Sequence, residues 1–328
     1  MNTHRFIRWL IFANLMFSLS AALFAQVFIS VRFGPPALPV YAQPICPGPG
    51  YFWVPGYWAW NDAYGYYWVP GTWVVAPVGM YWTPGYWGWR EGFYVWHPGY
   101  WGRRVGFYGG INYGYGYGGV GFRGGEWRGD RFFYNRSVTN VNVVNVTNVY
   151  NRTVVVNNTT NVSYNGGSGG ITMRPTPQEE AYAREAHTAP LAMQTQHEQA
   201  ASQNRALFAS ENHGRPAIAA TGQPGEFSGH NLVGAKSAGA PYHAPKISPQ
   251  EARVSPGEVR GAEARRGENR EASRNVRQQA QQAKVEQRRE QQQAKQEQKR
   301  QLQEQRQRQQ EQRHQREQER REGRGPGY

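Results

Sequence analysis

Carboxylates, histidines and cysteine are the side chains through which this chain could do covalent or metal chemistry, and they are thinly spread. Its 328 residues include two aspartates, Asp62 and Asp130, and between Tyr51 and Gly170 only Glu91 and Glu126 join them. Glycoside hydrolysis requires two carboxyl groups on either side of one bond, and the spacing advertises no such pair. The histidines are scattered, and none stands at metal-ligand spacing from a second histidine or a cysteine. His97 occupies a Pro-Gly segment where sister segments carry Val or Thr, which reads as turn variation. Cys46 is the single cysteine. It cannot close an intramolecular bridge, so it is either a spectator thiol or an intermolecular link.

Literal motifs are equally unpersuasive. Gly166-Gly167-Ser168-Gly169-Gly170 satisfies G-x-S-x-G, but a nucleophile elbow needs a strand before it and a helix after it together with acid and histidine partners, and the stretch reads as a glycine spacer. Gly114, Gly116 and Gly119 satisfy G-x-G-x-x-G without the helix that would hold a pyrophosphate. Arg128-Gly129-Asp130 is a chance tripeptide. No catalytic residue, cofactor or metal is expected, and the chain is not expected to be an enzyme.

What the sequence does concentrate is aromatic rings. Eleven of twelve tryptophans fall between Tyr51 and Tyr134, a stretch without leucine and with one isoleucine, Ile111. A repeat of fourteen to fifteen residues carries them: YFWVPGYWAW from Tyr51, YYWVPGTWVV from Tyr66, MYWTPGYWGW from Met80 and YVWHPGYWGR from Tyr94. Each copy reads W-x-P-G-[YT]-W and supplies two tryptophans: Trp53 and Trp58, Trp68 and Trp73, Trp82 and Trp87, Trp96 and Trp101. Proline presets the first central position of a turn and glycine accepts positive φ at the second, so Pro-Gly signals a type II turn between strand-forming flanks. A two-residue turn would set Trp53 opposite Trp58 and Tyr51 opposite Trp60, all on one face. A longer loop with shifted pairing is the alternative, because type II turns match strand twist less well than primed turns. With second turns at NDAYG, APVG and REG, the expected fold is mainly β: an antiparallel meander of about eight strands, then short helices and a long charged tail, helical or disordered.

These four segments resemble the YXWGXW (WXXGXW) repeat family of secreted bacterial proteins, here with proline before the glycine. The resemblance implies export and a repeat architecture. It carries over no catalytic residue.

Residues 1–25 have the pattern of a signal peptide, with Arg5 and Arg8 ahead of an apolar run from Trp9 to Ala25 and cleavage after Ala25; Ser20 and Ala22 offer a second site, and an uncleaved anchor is the competing reading. The expected destination is the periplasm, outer membrane or medium, without a membrane span after cleavage. The rest divides into a Pro-rich lead (26–50), the repeats (51–104), a Gly/aromatic segment (105–134) read as extra strands or a loop, and an Asn/Val-rich segment (135–170) read as one or two long strands or a short coil. A helical segment (171–214) follows, with a capping box at Thr176 and Glu179 starting a helix from about Pro177 to His187, and a second helix running to about Glu211. Residues 215–262 read as a linker. The tail, 263–328, is rich in Gln, Arg, Glu and Lys; with no sustained a/d seam, a coiled coil is the weaker option beside a solvated single helix.

The net charge of +14 falls to about +12 once the signal is removed, enough to favour acidic surfaces. Two functions are therefore carried forward. One is a non-catalytic structural or interaction protein of the cell envelope whose basic tail contacts anionic polymers. The other is a carbohydrate-binding module that uses a face formed by Trp53, Trp58, Trp68, Trp73, Trp82, Trp87, Trp96 and Trp101. Against the second stands the reading of those rings as the core of an aliphatic-poor sheet. Specific nucleic-acid binding is not expected, and the oligomeric state is left open.

Overall fold

A computed structural model describes residues 29–155 and 160–322, the side chains as far as residue 316. The signal-peptide reading lies outside the described residues. The chain forms two units, Met1–Val259 and Arg260–Tyr328.

In the first unit the strands run β1 (Ser30–Val31), β2 (Tyr51–Val54), β3 (Tyr57–Asn61), β4 (Gly65–Val69), β5 (Gly71–Val75), β6 (Tyr81–Thr83), β7 (Tyr86–Arg90), β8 (Phe93–His97) and β9 (Tyr100–Gly102). Eight of them lie in the repeats, the expected number, but they do not pair in the expected order. β2 pairs with β5, with Trp53 opposite Trp73; β3 pairs with β4, with Trp58 opposite Trp68. In the second half β6 pairs with β9, Trp82 opposite Trp101, and β7 with β8, Trp87 opposite Trp96. Trp53 therefore does not face Trp58, and the expected meander of Pro-Gly hairpins is corrected to two long ribbons, each folded back once.

The turns that fold the ribbons back are the ones between the Pro-Gly motifs. Glu91 and Gly92 both have positive φ, 51° and 101°, the signature of a type I′ turn, whose twist suits the strands it joins. At the other ribbon tip the Asn61 carboxamide accepts the Ala63 and Tyr64 N–H groups, and Gly65 takes φ of 84°. The register of each ribbon continues unbroken past its Pro-Gly pairs, since Val54 opposes Thr72 on one side and Tyr57 opposes Val69 on the other. Pro55-Gly56 thus sits across from Pro70-Gly71 and bends the ribbon. Proline has no N–H for the ladder, so the pairing lapses there and the two halves enter different sheets.

Beyond the repeats come β10 (Asn112–Gly114), β11 (Tyr117–Gly118), β12 (Gly125–Arg128), β13 (Arg131–Asn135), β14 (Val149–Tyr150) and β15 (Tyr164–Asn165). The Gly/aromatic segment is mostly short hairpins, β10–β11 and β12–β13. The Asn/Val segment corrects its expectation of long strands: among its described residues the strands that form, Val149–Tyr150 and Tyr164–Asn165, are two residues long. Asparagine side chains take the backbone groups a ladder would need. Asn135 donates to the Arg123 and Arg152 carbonyls and accepts from Arg152 N–H, while Asn140 binds Gln43 through both side-chain and main-chain groups.

Helix α1 (Pro177–Tyr182) starts at the expected capping box of Thr176 and Glu179, but ends well before His187. Helix α2 (Ala192–Gln203), a 3₁₀ turn (Arg205–Leu207) and α3 (Ala209–Asn212) replace the second helix, with His213 closing α3 in the left-handed region. The segment read as a linker is partly integral. Its strand β16 (Ala220–Thr221) pairs with β5 on one side and β17 (Leu232–Val233) on the other, with Ala219, Ala220 and Thr221 buried. Helix α4 (Pro249–Ala252) follows.

The 67-residue helix α5 (Pro256–Glu322) passes into the second unit, resolving the tail expectation in favour of helix. From Gly267 to Arg316 every side chain is exposed, including Val276, Val285 and Leu302, so no apolar seam is engaged along it. Among the described residues no helix is long and apolar enough to cross a membrane.

Candidate functional site

The repeat motif is a device for packing indoles. Its two tryptophans lie on either side of the Pro-Gly bend, and each meets a tryptophan of the facing arm. Ring centroids are 5.2 Å apart for Trp53–Trp73 and Trp58–Trp68, and 5.4 Å for Trp82–Trp101 and Trp87–Trp96, with planes inclined by 50–67°. Inclined contacts of this kind favour the positive edge of one ring meeting the negative face of another.

The glycine of the motif is explained by the same rings. Gly56, Gly71, Gly85 and Gly99 do not have positive φ, which corrects the type II turn expectation. Each instead lies against the six-membered ring of an indole from the facing arm. A Cβ on Gly56 would stand 2.3 Å from Cζ2 of Trp68, on Gly71 2.6 Å from Trp53, on Gly85 2.5 Å from Trp96 and on Gly99 2.4 Å from Trp82. First tryptophan and facing glycine are reciprocal partners across each bend.

A family model described as WXXGXW repeat matches residues 48–74 and 78–101. The chain carries WXXGXW repeats. Each matched copy is one bent ribbon, β2–β5 or β6–β9, to within a residue of its end, so a copy comprises two W-x-P-G-x-W motifs facing one another. No curated protein and no solved structure matches the chain.

Burial decides what the repeat tryptophans can touch. Trp53, Trp58, Trp68, Trp73, Trp82, Trp87 and Trp101 are at most 5% exposed, and Trp96 is half-buried. They form no open aromatic face; the rings are the core. Most indole N–H groups donate inward or to flanking chain: Trp58 to Ala37 O at 3.1 Å, Trp68 to Ala219 O at 2.9 Å, Trp73 to Pro44 O at 3.0 Å, Trp87 to Trp58 O at 2.8 Å and Trp101 to the Gln194 carboxamide at 2.8 Å. The partners come from the Pro-rich lead, the former linker and α2, which is how a two-ribbon repeat recruits the rest of the unit.

Burial shifts the titratable groups drawn into this core toward their neutral forms. His197 on α2 accepts the Gly225 N–H on Nδ1 at 2.8 Å, so its proton is on Nε2, which donates to Pro70 O at 2.9 Å. Burial lowers its pKa from 6.5 to about 4. Burial raises the pKa of neighbouring Glu198, against the opposing effect of its hydrogen bond with Tyr57. His97 stacks on Tyr86 with centroids 4.5 Å apart, and burial followed by the Arg90 charge lowers it to about 4. Cys46 is buried, donates to Gly48 O at 3.2 Å, and is pushed up to about 11 by burial. Of the two readings of this thiol, the buried spectator is the one the structure supports. Among the described residues no group of three or more His, Cys, Asp or Glu side chains is arranged to hold a metal.

Two of the depressions on the surface of the first unit differ sharply in lining. One, of about 600 Å³, is apolar and lies among Phe33, Tyr64, Tyr66, Tyr164, Tyr242 and His213. The other, of about 810 Å³, gathers Arg103, Arg104, Arg123 and Arg152 beside aromatic side chains. Sequence reasoning missed the second because its arginines come from three separate stretches, none of them a charge run.

Proposed function

We propose that this protein is an exported, non-catalytic structural and interaction protein of the bacterial cell envelope, in which the WXXGXW unit is a rigid body and the C-terminal helix contacts anionic polymers. The observation that carries the reading is the division of labour between the units. Most repeat tryptophans of the first are buried in its own core, whereas residues 260–328 hold nineteen Lys and Arg against eleven Asp and Glu. Helix α5 is exposed from Gly267 to Arg316. A stretch of helix whose side chains are all exposed gains little from tertiary burial, so its charges remain available to a partner of opposite sign. Export follows from the signal-like N-terminus and from the secreted family that the repeats resemble.

The test is retention on isolated envelope material across a salt series. Retention that falls steeply with salt and is lost on deleting residues 260–328 supports the reading; deletion without effect ends it. The carbohydrate reading through the repeat tryptophans lacks a surface, because seven of its eight rings are buried.

A further inference from the structure

Four arginines line one cleft of the first unit. Arg103 and Arg104 follow β9, Arg123 precedes β12, and Arg152 follows β14; all four are exposed. Arg104 donates to the Tyr182 hydroxyl at 3.3 Å and lies 5.2 Å from the centre of that ring. Among the described residues no carboxylate stands within ion-pair distance of Arg103, Arg123 or Arg152. Two carboxylates line the cleft, and one of them, Glu126, is already paired with Arg128 at 2.7 Å. The cleft therefore keeps an excess of positive charge. Like charges gathered in a concave site focus a field that an anion would relieve.

Its walls narrow the choice of anion. Tyr81, Phe122, Tyr150 and Tyr182 are half-buried around the arginines. Guanidinium forks match planar carboxylates in two-point hydrogen bonds, and aromatic faces suit the apolar faces of sugar rings. A volume of about 810 Å³ fits a short oligomer. A nucleic acid gains affinity by neutralising many phosphates along a track, whereas this is a single patch of four cations partly offset by two acids.

We propose that the cleft binds an acidic oligosaccharide, its uronate carboxylates held by Arg103, Arg123 and Arg152 and its rings laid against the tyrosine and phenylalanine walls. This deepens the anionic-polymer reading by adding a defined site on the WXXGXW unit to the diffuse contact of the helix.

Calorimetric titration of the full chain with a galacturonate trimer tests it, with a glucose trimer and a thymidylate trimer as comparisons. The native chain is expected to bind one galacturonate trimer, and Arg123→Gln with Arg152→Gln to weaken it at least about tenfold through lost charge-assisted hydrogen bonds. Arg123→Lys with Arg152→Lys, which keeps the charge but removes the fork, is expected to fall between. Circular dichroism confirms that each variant stays folded. The proposal is overturned if the trimer does not bind, if the glutamine variant binds it equally, or if the glucose or thymidylate trimer binds as tightly. Replacing Arg306, Arg308, Arg313 and Arg316 by Gln separates the two readings: trimer binding should be unchanged, whatever happens to envelope retention.

Discussion

Gly71 and Trp53 face each other across the first bend so closely that a Cβ on the glycine would lie 2.6 Å from Cζ2 of the indole, with the Gly56 nitrogen at 3.0 Å on the other side. Neither neighbour is a flexible tip: one is a buried ring and the other is backbone. Gly71→Ala must therefore push the ribbon open, and overpacking of this kind costs about 1–3 kcal/mol or more. Gly99→Ala is expected to behave likewise against Trp82. Gly48→Ala is the control, since a Cβ there meets nothing within 4 Å and its φ is ordinary. Urea midpoints of the three variants decide the matter; a Gly71→Ala protein as stable as the Gly48→Ala one would refute the packing role.

The tryptophan pairs make a second expectation. Trp58 and Trp68 are both essentially inaccessible and 5.2 Å apart. Removing either ring to Ala should cost about 3–5 kcal/mol. The double variant should cost less than the two singles together, because the residues share one contact, with a coupling of about 0.5–1.5 kcal/mol. Tryptophan emission of the native protein should be blue-shifted and poorly quenched by acrylamide. Strictly additive losses, or emission like that of free tryptophan, would contradict the burial described.

Much of this arrangement is visible in the spacing of residues, and the part that is not has a physical cause. The period, the count of eight strands and the capping box at Thr176 all follow from local chemistry. The pairing partner does not, because Pro-Gly serves two uses, as a turn and as a bend, and the glycine looks the same whether it is there for φ or for lack of a Cβ. The better clue was the two-residue Glu91-Gly92 loop, where two successive positive φ values mark the true hairpin end. The strand Ala220–Thr221 was hidden by Gly/Pro/Ala composition, since only the edge of β5 makes two small residues into a strand. The arginine cleft is invisible to local reading for the same reason: tertiary structure alone assembles it.

His197 gives the unit a pH dependence whose sign can be stated. Its folded pKa, about 4, lies below the usual 6.5, so between these values the unfolded chain binds the extra proton. Stability is therefore full above about pH 6.5 and declines as the pH falls toward 4, by about 3 kcal/mol at most. Glu198, raised by burial, acts in the opposite direction, favouring the fold when protonated. Comparing native protein with His197→Gln isolates the histidine. The variant should start less stable at pH 7, having lost the bonds to Pro70 and Gly225, and should show a flatter decline. Parallel curves for the two proteins would show that His197 does not titrate in this way.

Cys46 supplies the last test, and it reads the lead segment where it crosses the core. The thiol is 1% exposed, bonded to Gly48 O, and raised to about 11, so both access and thiolate are withheld. Labelling by a thiol reagent at pH 8 should be slow in the native protein and should accelerate through the urea transition in step with tryptophan emission. Non-reducing gels of native protein should show no cross-linked dimer. Destabilising the first ribbon with Gly71→Ala should speed labelling, because Trp73, the indole that donates to Pro44 O two residues before Cys46, belongs to that ribbon. Rapid labelling of the native chain, or a disulfide-linked dimer under oxidising conditions, would place this thiol at an interface instead of in the core.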